Sequence, residues 1–421
     1  MTESAALLLE TVVREEWGRL TALLLAQYRR LDLVEDALGD AVEAAARRWR
    51  ADGAPDNPAA WLLTTARRRV VDRLRAESMA HRRAPLLVTE AERRQDRQAA
   101  MADPGGLVED DLLRLVLLCT HPALAPEAAS ALALRLVLGV STHDIGRLFL
   151  VGEPTVAARI TRAKKKIVAA GIPFAIPAAD VLPDRLDTVA QTAYLAFTAG
   201  YAPGSGPDLL RADLAGEAIR LARVVARLCP DEPAPRALLA LTLLQHSRRD
   251  ARVGEDGRLV PLAEQDRRRW RHDEIDEALS LLASPVLAGP LTPAAASYVV
   301  QARIAAEHAV TATPDETRWD RIVEQYDVLL RVAPSPSARL ARAVAVAEAS
   351  GPAAGLAALD GVEVPGSHRV AAVRAELLSR RGEAGAAWEA YDEAIAACGN
   401  EVERSYLLQR REALGVAGQG S

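Results

Sequence analysis

Aromatic residues are scarce: three Phe, seven Tyr and six Trp make up 4% of the 421 residues. β-Sandwiches and barrels draw on aromatic and β-branched side chains, so a chain that is half hydrophobic through Ala and Leu, and poor in rings, points to an all-α fold. Cysteine is scarcer still. Cys119, Cys229 and Cys398 lie far apart, with no CxxC pair and no Cys/His cluster, which argues against disulfide and zinc frameworks and leaves them as small apolar packing residues. No apolar run reaches the roughly 18 residues that a bilayer span needs, and Met1 to Glu10 has neither the basic start nor the cleavage site of a signal peptide. The expected location is the cytoplasm. Walker, G-x-G-x-x-G, G-x-S-x-G and H-E-x-x-H motifs are all missing and the seven histidines are scattered, so neither an enzyme nor a cofactor or metal is expected.

What is present is charge, unevenly spread. Residues 1–170 carry 25 Lys and Arg against 23 Asp and Glu, a net of +2, while residues 171–421 carry 27 against 34, a net of −7. Two compact basic segments stand out in the first part. Arg67 to Arg75 holds five arginines against Asp72 alone, and Pro154 to Lys166 holds Arg159, Arg162, Lys164, Lys165 and Lys166 with no acid. Such clusters on a nearly neutral background imply two local anion contacts rather than a generally adhesive surface.

The length suggests about three units at roughly 150 residues per domain. Residues 1–77 read as helices broken at Gly53 to Pro58, where Asn57 can cap and Pro58 can open the next helix. From Ser78 to Gly106 the apolar periodicity fails and Asp103-Pro-Gly-Gly106 closes a linker. Residues 107–172 form a second helical domain, with helices over Pro126–Leu138, Thr142–Leu150 and Pro154–Ala169, ended by Pro173 and Pro177. Residues 182–417 read as Ala- and Leu-rich helices with a weak repeat. Tyr326, Leu329 and Pro334 match Tyr391, Ala394 and Gly399 at the same offsets, 65 residues apart, close to two tetratricopeptide (TPR) units of roughly 34 residues. An ordinary bundle packed through Ala accounts for the same pattern.

The segment Val140 to Ile167 has the layout of a helix-turn-helix. Ser141 can cap the first helix with Asp144 three residues on, Val151-Gly-Glu153 turns, and Pro154 opens the second helix. There Val156, Ile160, Ala163 and Ile167 share a buried face, and Thr155, Arg159, Arg162 and Lys166 share the opposite one. Hydroxyls and guanidiniums so placed suit base edges and phosphates in a major groove. In Asn57 to Arg75, Leu63, Ala66, Val70 and Leu74 are expected to face inward, leaving Trp61, Thr65, Arg68, Asp72 and Arg75 outward beside Arg67. A ring among arginines can stack on an unpaired base while cations hold the backbone; taken alone, a Trp such as Trp61 is more often a core residue than a stacking platform.

Leu33-Val-Glu-Asp-Ala-Leu-Gly-Asp40, Trp49 and the Asn57 to Arg75 segment resemble region two of extracytoplasmic-function (ECF) sigma factors, and Pro126 to Ile167 resembles their region four. Leu148-Phe-Leu-Val151, Ala170-Gly-Ile-Pro-Phe174 and Gln265-Asp-Arg-Arg-Arg-Trp270 are similar to the subgroup with a TPR-like C-terminal extension. The resemblance implies that the helix around Glu35, Asp36 and Asp40 docks on the clamp helices of the largest subunit of core RNA polymerase. It implies further that Asn57 to Arg75 opens the minus-ten element of promoter DNA, and that the helix after Pro154 reads the minus-thirty-five element. Polymerase would then hold two separate reading domains at fixed spacing. Gly39 stands where a longer polar residue is common in that region.

A helix-turn-helix regulator with a C-terminal sensor domain is the competing reading; it needs only Val140 to Ile167. The long acidic extension suggests regulation through a protein or peptide partner. Glu255-Asp-Gly-Arg258 is its candidate contact loop, or a plain Asp-Gly turn.

Overall fold

The computed structural model describes residues 3–81, 104–149, 151–201, 212–254, 260–364 and 367–417. Among these the architecture is all-α, without a strand. The first part comprises α1 (Glu3–Tyr28), α2 (Leu31–Asp52), α3 (Pro58–His81), α4 (Pro104–Cys119), α5 (Pro126–Leu136), α6 (Thr142–Phe149), α7 (Glu153–Ala169) and α8 (Leu182–Tyr201). The second comprises α9 (Ala212–Leu228), α10 (Pro233–His246), α11 (His272–Leu282), α12 (Pro293–Ala309), α13 (Trp319–Val332), α14 (Pro336–Ser350), α15 (Pro352–Leu359), α16 (Arg369–Arg380), α17 (Ala384–Ala397) and α18 (Glu401–Ala417). Most of the expected linker, like Leu150 and the Glu255 to Arg258 loop, lies outside the described residues. Its far end is corrected. Pro104-Gly-Gly106 forms the first turn of α4, because proline's fixed φ and missing N–H suit that position.

The chain divides into two compact units, residues 1–195 and 196–421. The boundary differs from the expected one at 182, because most of α8 belongs to the first unit. Arg185 donates to the Leu117 carbonyl at 2.7 Å, and Ser130 Oγ to the Thr192 carbonyl at 3.4 Å.

In the first unit Trp17, Leu20, Leu24, Val34, Leu38, Trp49, Leu62 and Ala66 form the core of α1, α2 and α3. Within the same unit this core is met by the helices that follow. α1 lies against α4 and touches α5. Two glycines permit the approach: a Cβ on Gly18 would sit 2.3 Å from the Val137 carbonyl oxygen, and one on Gly139, at φ 74°, would sit 2.7 Å from the Trp17 ring. Arg29 links the α1–α2 turn to the far end of this unit. It adopts φ 57°, lies over the Phe174 ring at 5.4 Å and donates to the Phe174 carbonyl at 3.1 Å.

In the second unit helices pack chiefly on their chain neighbours, with α10 against α12 the main exception. Small residues bring them close. Ala375, Ala387 and Ala394 are fully buried, and a Cβ on Gly355 would meet that of Ala347 at 2.4 Å. Tyr391 is buried and donates to Glu376 at 2.9 Å, whereas Tyr326 is half-buried.

Candidate nucleic-acid interface

The helix-turn-helix geometry follows from its sequence. Ser141 Oγ accepts from the Asp144 N–H at 3.0 Å and donates to the Asp144 carboxylate at 2.6 Å, a reciprocal cap on α6. The turn closes through Val151 N–H to the Gly146 carbonyl at 3.0 Å, and a Cβ at Gly146 would fall 2.9 Å from the Val151 carbonyl oxygen. Glu153 joins the two helices by accepting from Thr142 Oγ1 at 3.2 Å.

On α7, Val156, Ile160, Ala163 and Ile167 are buried. Thr155, Arg162, Lys165 and Lys166 are exposed, and Arg159 is partly so. A hollow of about 270 Å³ adjoins this face, bordered by Leu124, Glu127, Arg159, Arg162 and Lys166. Lys164 does not join it. Its ammonium pairs with Glu35 of α2, whose other oxygen accepts from Arg135 Nε at 2.7 Å. Arg135 in turn lies over the Trp17 ring at 5.5 Å.

That cluster holds two of the expected site residues in contact with each other. Glu35, assigned to a polymerase-docking surface, is only 9% exposed and neutralised by two cations from α5 and α7. Lys164, assigned to DNA, is turned inward by the same contact. A carboxylate so enclosed needs such partners, since an unpaired buried charge is strongly unfavourable. Asp36 and Asp40 remain accessible and face Arg73 of α3, at 3.7 and 2.9 Å.

Along α3, Asn57 acts as the cap, its side-chain oxygen accepting from the Ala60 N–H at 3.0 Å. The inward face is Leu62, Ala66 and Val70, so Leu62 replaces the expected Leu63, which is only half-buried. One residue turns a helix face by about 100°, and Trp61 and Thr65 become half-buried in consequence. Trp61 stands edge-on to buried Trp49, with ring centroids 5.7 Å apart. Arg68, Asp72 and Arg75 are exposed, Asp72 and Arg75 at 4.0 Å, while Arg67 is partly covered. The structure therefore brings Arg68, Asp72 and Arg75 to one side of α3 and Thr155, Arg162 and Lys166 to one side of α7.

Sequence reasoning missed Arg135, an isolated basic residue outside the two clusters, and Arg73, which lies within the first cluster but faces α2; only the fold supplies their acidic partners.

The chain is 41% identical over 396 residues to an uncharacterized protein of Rhizobium meliloti (strain 1021), a match that spans 93% of this chain and 92% of the relative. The two belong to one family. Residues 185–285, which span nearly all of α8 and the helices α9, α10 and α11, also match a family of unknown function, DUF6596. No solved structure matches the chain.

Proposed function

We propose that this protein is a sigma factor of the ECF type, which binds core RNA polymerase in the cytoplasm and directs it to promoter DNA, with a TPR-like C-terminal unit that regulates it. The observation that carries the reading is the capped helix-turn-helix α6–α7, whose outward face combines Thr155 with Arg159, Arg162, Lys165 and Lys166. That face suits the major groove, with residues near the start of α7 on base edges and the later lysines on phosphates. The exposed Arg68 and Arg75 of α3, beside half-buried Trp61, suit a displaced single strand. Asp36 and Asp40 are the acidic groups left for a polymerase contact.

The Glu35 cluster adds a condition to this reading. With α7 latched to α2, Lys164 is withheld from phosphate; engagement with polymerase and promoter would exchange that internal pair for external ones.

A second reading, a helix-turn-helix regulator with a sensor domain, draws support from one observation. The second unit holds a cavity of about 560 Å³ bordered by Gln245, Arg248, Gln301, His308 and Tyr326, a volume suited to a small ligand. Run-off transcription separates the two. Specific transcripts that require both this protein and core polymerase support the sigma reading, whereas specific DNA binding without core, and no rescue of core initiation, supports the regulator.

A further inference from the structure

His368, Cys398 and Glu403 are distant in sequence and adjacent in space. His368 immediately precedes α16, Cys398 follows the end of α17, and Glu403 lies in the first turn of α18. His368 Nε2 lies 3.1 Å from Glu403 Oε2, and the donor atoms of all three residues fall within 4.8 Å of one another. They are the one group of three such donors in this arrangement among the described residues. We propose that they form a binding site for a divalent transition-metal ion of the zinc class, with the fourth position left to water.

The donor chemistry selects the class of ion. A thiolate and an imidazole favour zinc and its transition-metal neighbours over magnesium or calcium, which take oxygen ligands. Three protein ligands leave an open coordination position, unlike the four of a closed structural site. With zinc bonds of roughly 2.0 to 2.3 Å, tetrahedral donors lie about 3.5 Å apart, so the group needs to close by about 1 Å.

The surroundings hold the donors in place. Glu403 directs Oε2 to His368 while Oε1 faces the Arg369 guanidinium at 3.5 Å, the kind of outer contact that fixes a ligating carboxylate. The Asn400 side chain accepts from the Val402 and Glu403 N–H groups, both at 3.0 Å, and so fixes the first turn of α18. Arg404 Nε donates to the Cys398 carbonyl at 3.1 Å. Cys398 Sγ is within 3.4 Å of the Asn400 carbonyl, to which the neutral thiol can donate. On binding, the thiol proton passes to solvent, the S–H bond is replaced by a sulfur–metal bond, and no electron is transferred. The ion would then join the ends of α16, α17 and α18.

Cobalt(II) is the direct probe, because a thiolate bound to it gives a charge-transfer absorption in the near ultraviolet. Titrating Co2+ into the reduced full-length protein should develop this band to one equivalent per chain, and Zn2+ should abolish it. The band should persist in the Cys119→Ser, Cys229→Ser double variant and vanish in Cys398→Ser. Affinity should fall at least tenfold in His368→Gln, and about ten- to a hundredfold in Arg369→Gln, which alters only the outer contact. Circular dichroism shows which variants are folded, and Glu403→Gln, with similar shape and one donor weakened, gives a second reading if Cys398→Ser is not. Absence of the band in the wild-type protein, or a band of unchanged strength in folded Cys398→Ser or Glu403→Gln, overturns the site and leaves His368 and Glu403 as an ordinary ion pair.

Discussion

Glu35 and Lys164 are separated by 129 residues and meet as an ion pair in the interior of the first unit. Arg135 completes the cluster on the other carboxylate oxygen. Glu35→Ala should leave two cations without their acid and destabilise the first unit by about 3–5 kcal/mol, measured by chemical denaturation. Glu35→Gln keeps the shape and frees Lys164. In a complex with polymerase and promoter it should tighten DNA binding, since no internal pair has to be given up for Lys164 to reach phosphate, and adding Lys164→Gln should remove that gain and flatten the salt dependence by about 0.9 in the log–log slope, one phosphate contact. Equal affinity of the wild type and Glu35→Gln in competition binding would mean that Lys164 does not reach phosphate even when released.

Arg162 is exposed on the outward face of α7 and is expected to contact DNA directly. Arg162→Ala should weaken binding of the polymerase complex to the upstream promoter element by about 1–3 kcal/mol and relax preference at one base pair. Competition binding with single-base variants of that element reads both effects. A loss that is uniform over all sequences would instead assign Arg162 to the phosphate backbone.

The Trp61–Trp49 pair separates packing from stacking. Trp61→Ala removes an edge-to-face contact and a half-buried ring, while Trp61→Phe keeps an aromatic face. If Trp61 stacks on an unpaired base, Trp61→Ala should impair promoter opening, seen as lost permanganate reactivity of melted thymines, and Trp61→Phe should retain most of it. Opening that is normal in a folded Trp61→Ala protein would restrict this ring to the core.

Much of the fold was legible in the sequence, and the failures have local causes. Helix boundaries from α5 to α7 follow from Pro126, Ser141 and Pro154, because proline and capping hydroxyls act within one turn. The buried face of α7 was correctly read from four apolar residues at helical spacing. On α3, adjacent Leu62 and Leu63 offered two registers, and the choice between them was made by the packing of α1 and α2. The contact of α1 with α4 and α5 depends on two glycines, Gly18 and Gly139, whose value is the absence of a side chain and which carry no periodic signal. The grouping of Cys398 with His368 was illegible for another reason: separation along the chain conceals what three helix ends bring together.

Glycines that look alike in the sequence differ in what their Cβ would meet. Gly39 lies within α2 with open space where its Cβ would be, so Gly39→Ala should stabilise the first unit by about 0.5–1 kcal/mol. Gly18→Ala, facing a backbone oxygen at 2.3 Å, should destabilise it by more than that gain. Denaturant midpoints of the two variants should therefore move in opposite directions.

His308 makes the second unit sensitive to acid. Burial, aided by the Arg248 and Arg267 guanidiniums, holds the imidazole down to about 4 from an ordinary 6.5. The folded unit therefore resists a proton that the unfolded chain accepts. Stability should be unaffected by this group above about pH 6.5 and should decline as pH falls from there towards 4, by about 3 kcal/mol at most. Thermal unfolding of the wild type and His308→Gln across that window checks the sign, since only the wild type should carry this contribution.

Because helices α9 to α18 engage mainly their immediate predecessors, this half of the protein has few long loops to close before its contacts form. Chains of such low contact order fold quickly, and each helix emerging during synthesis finds most of its partner surface already built.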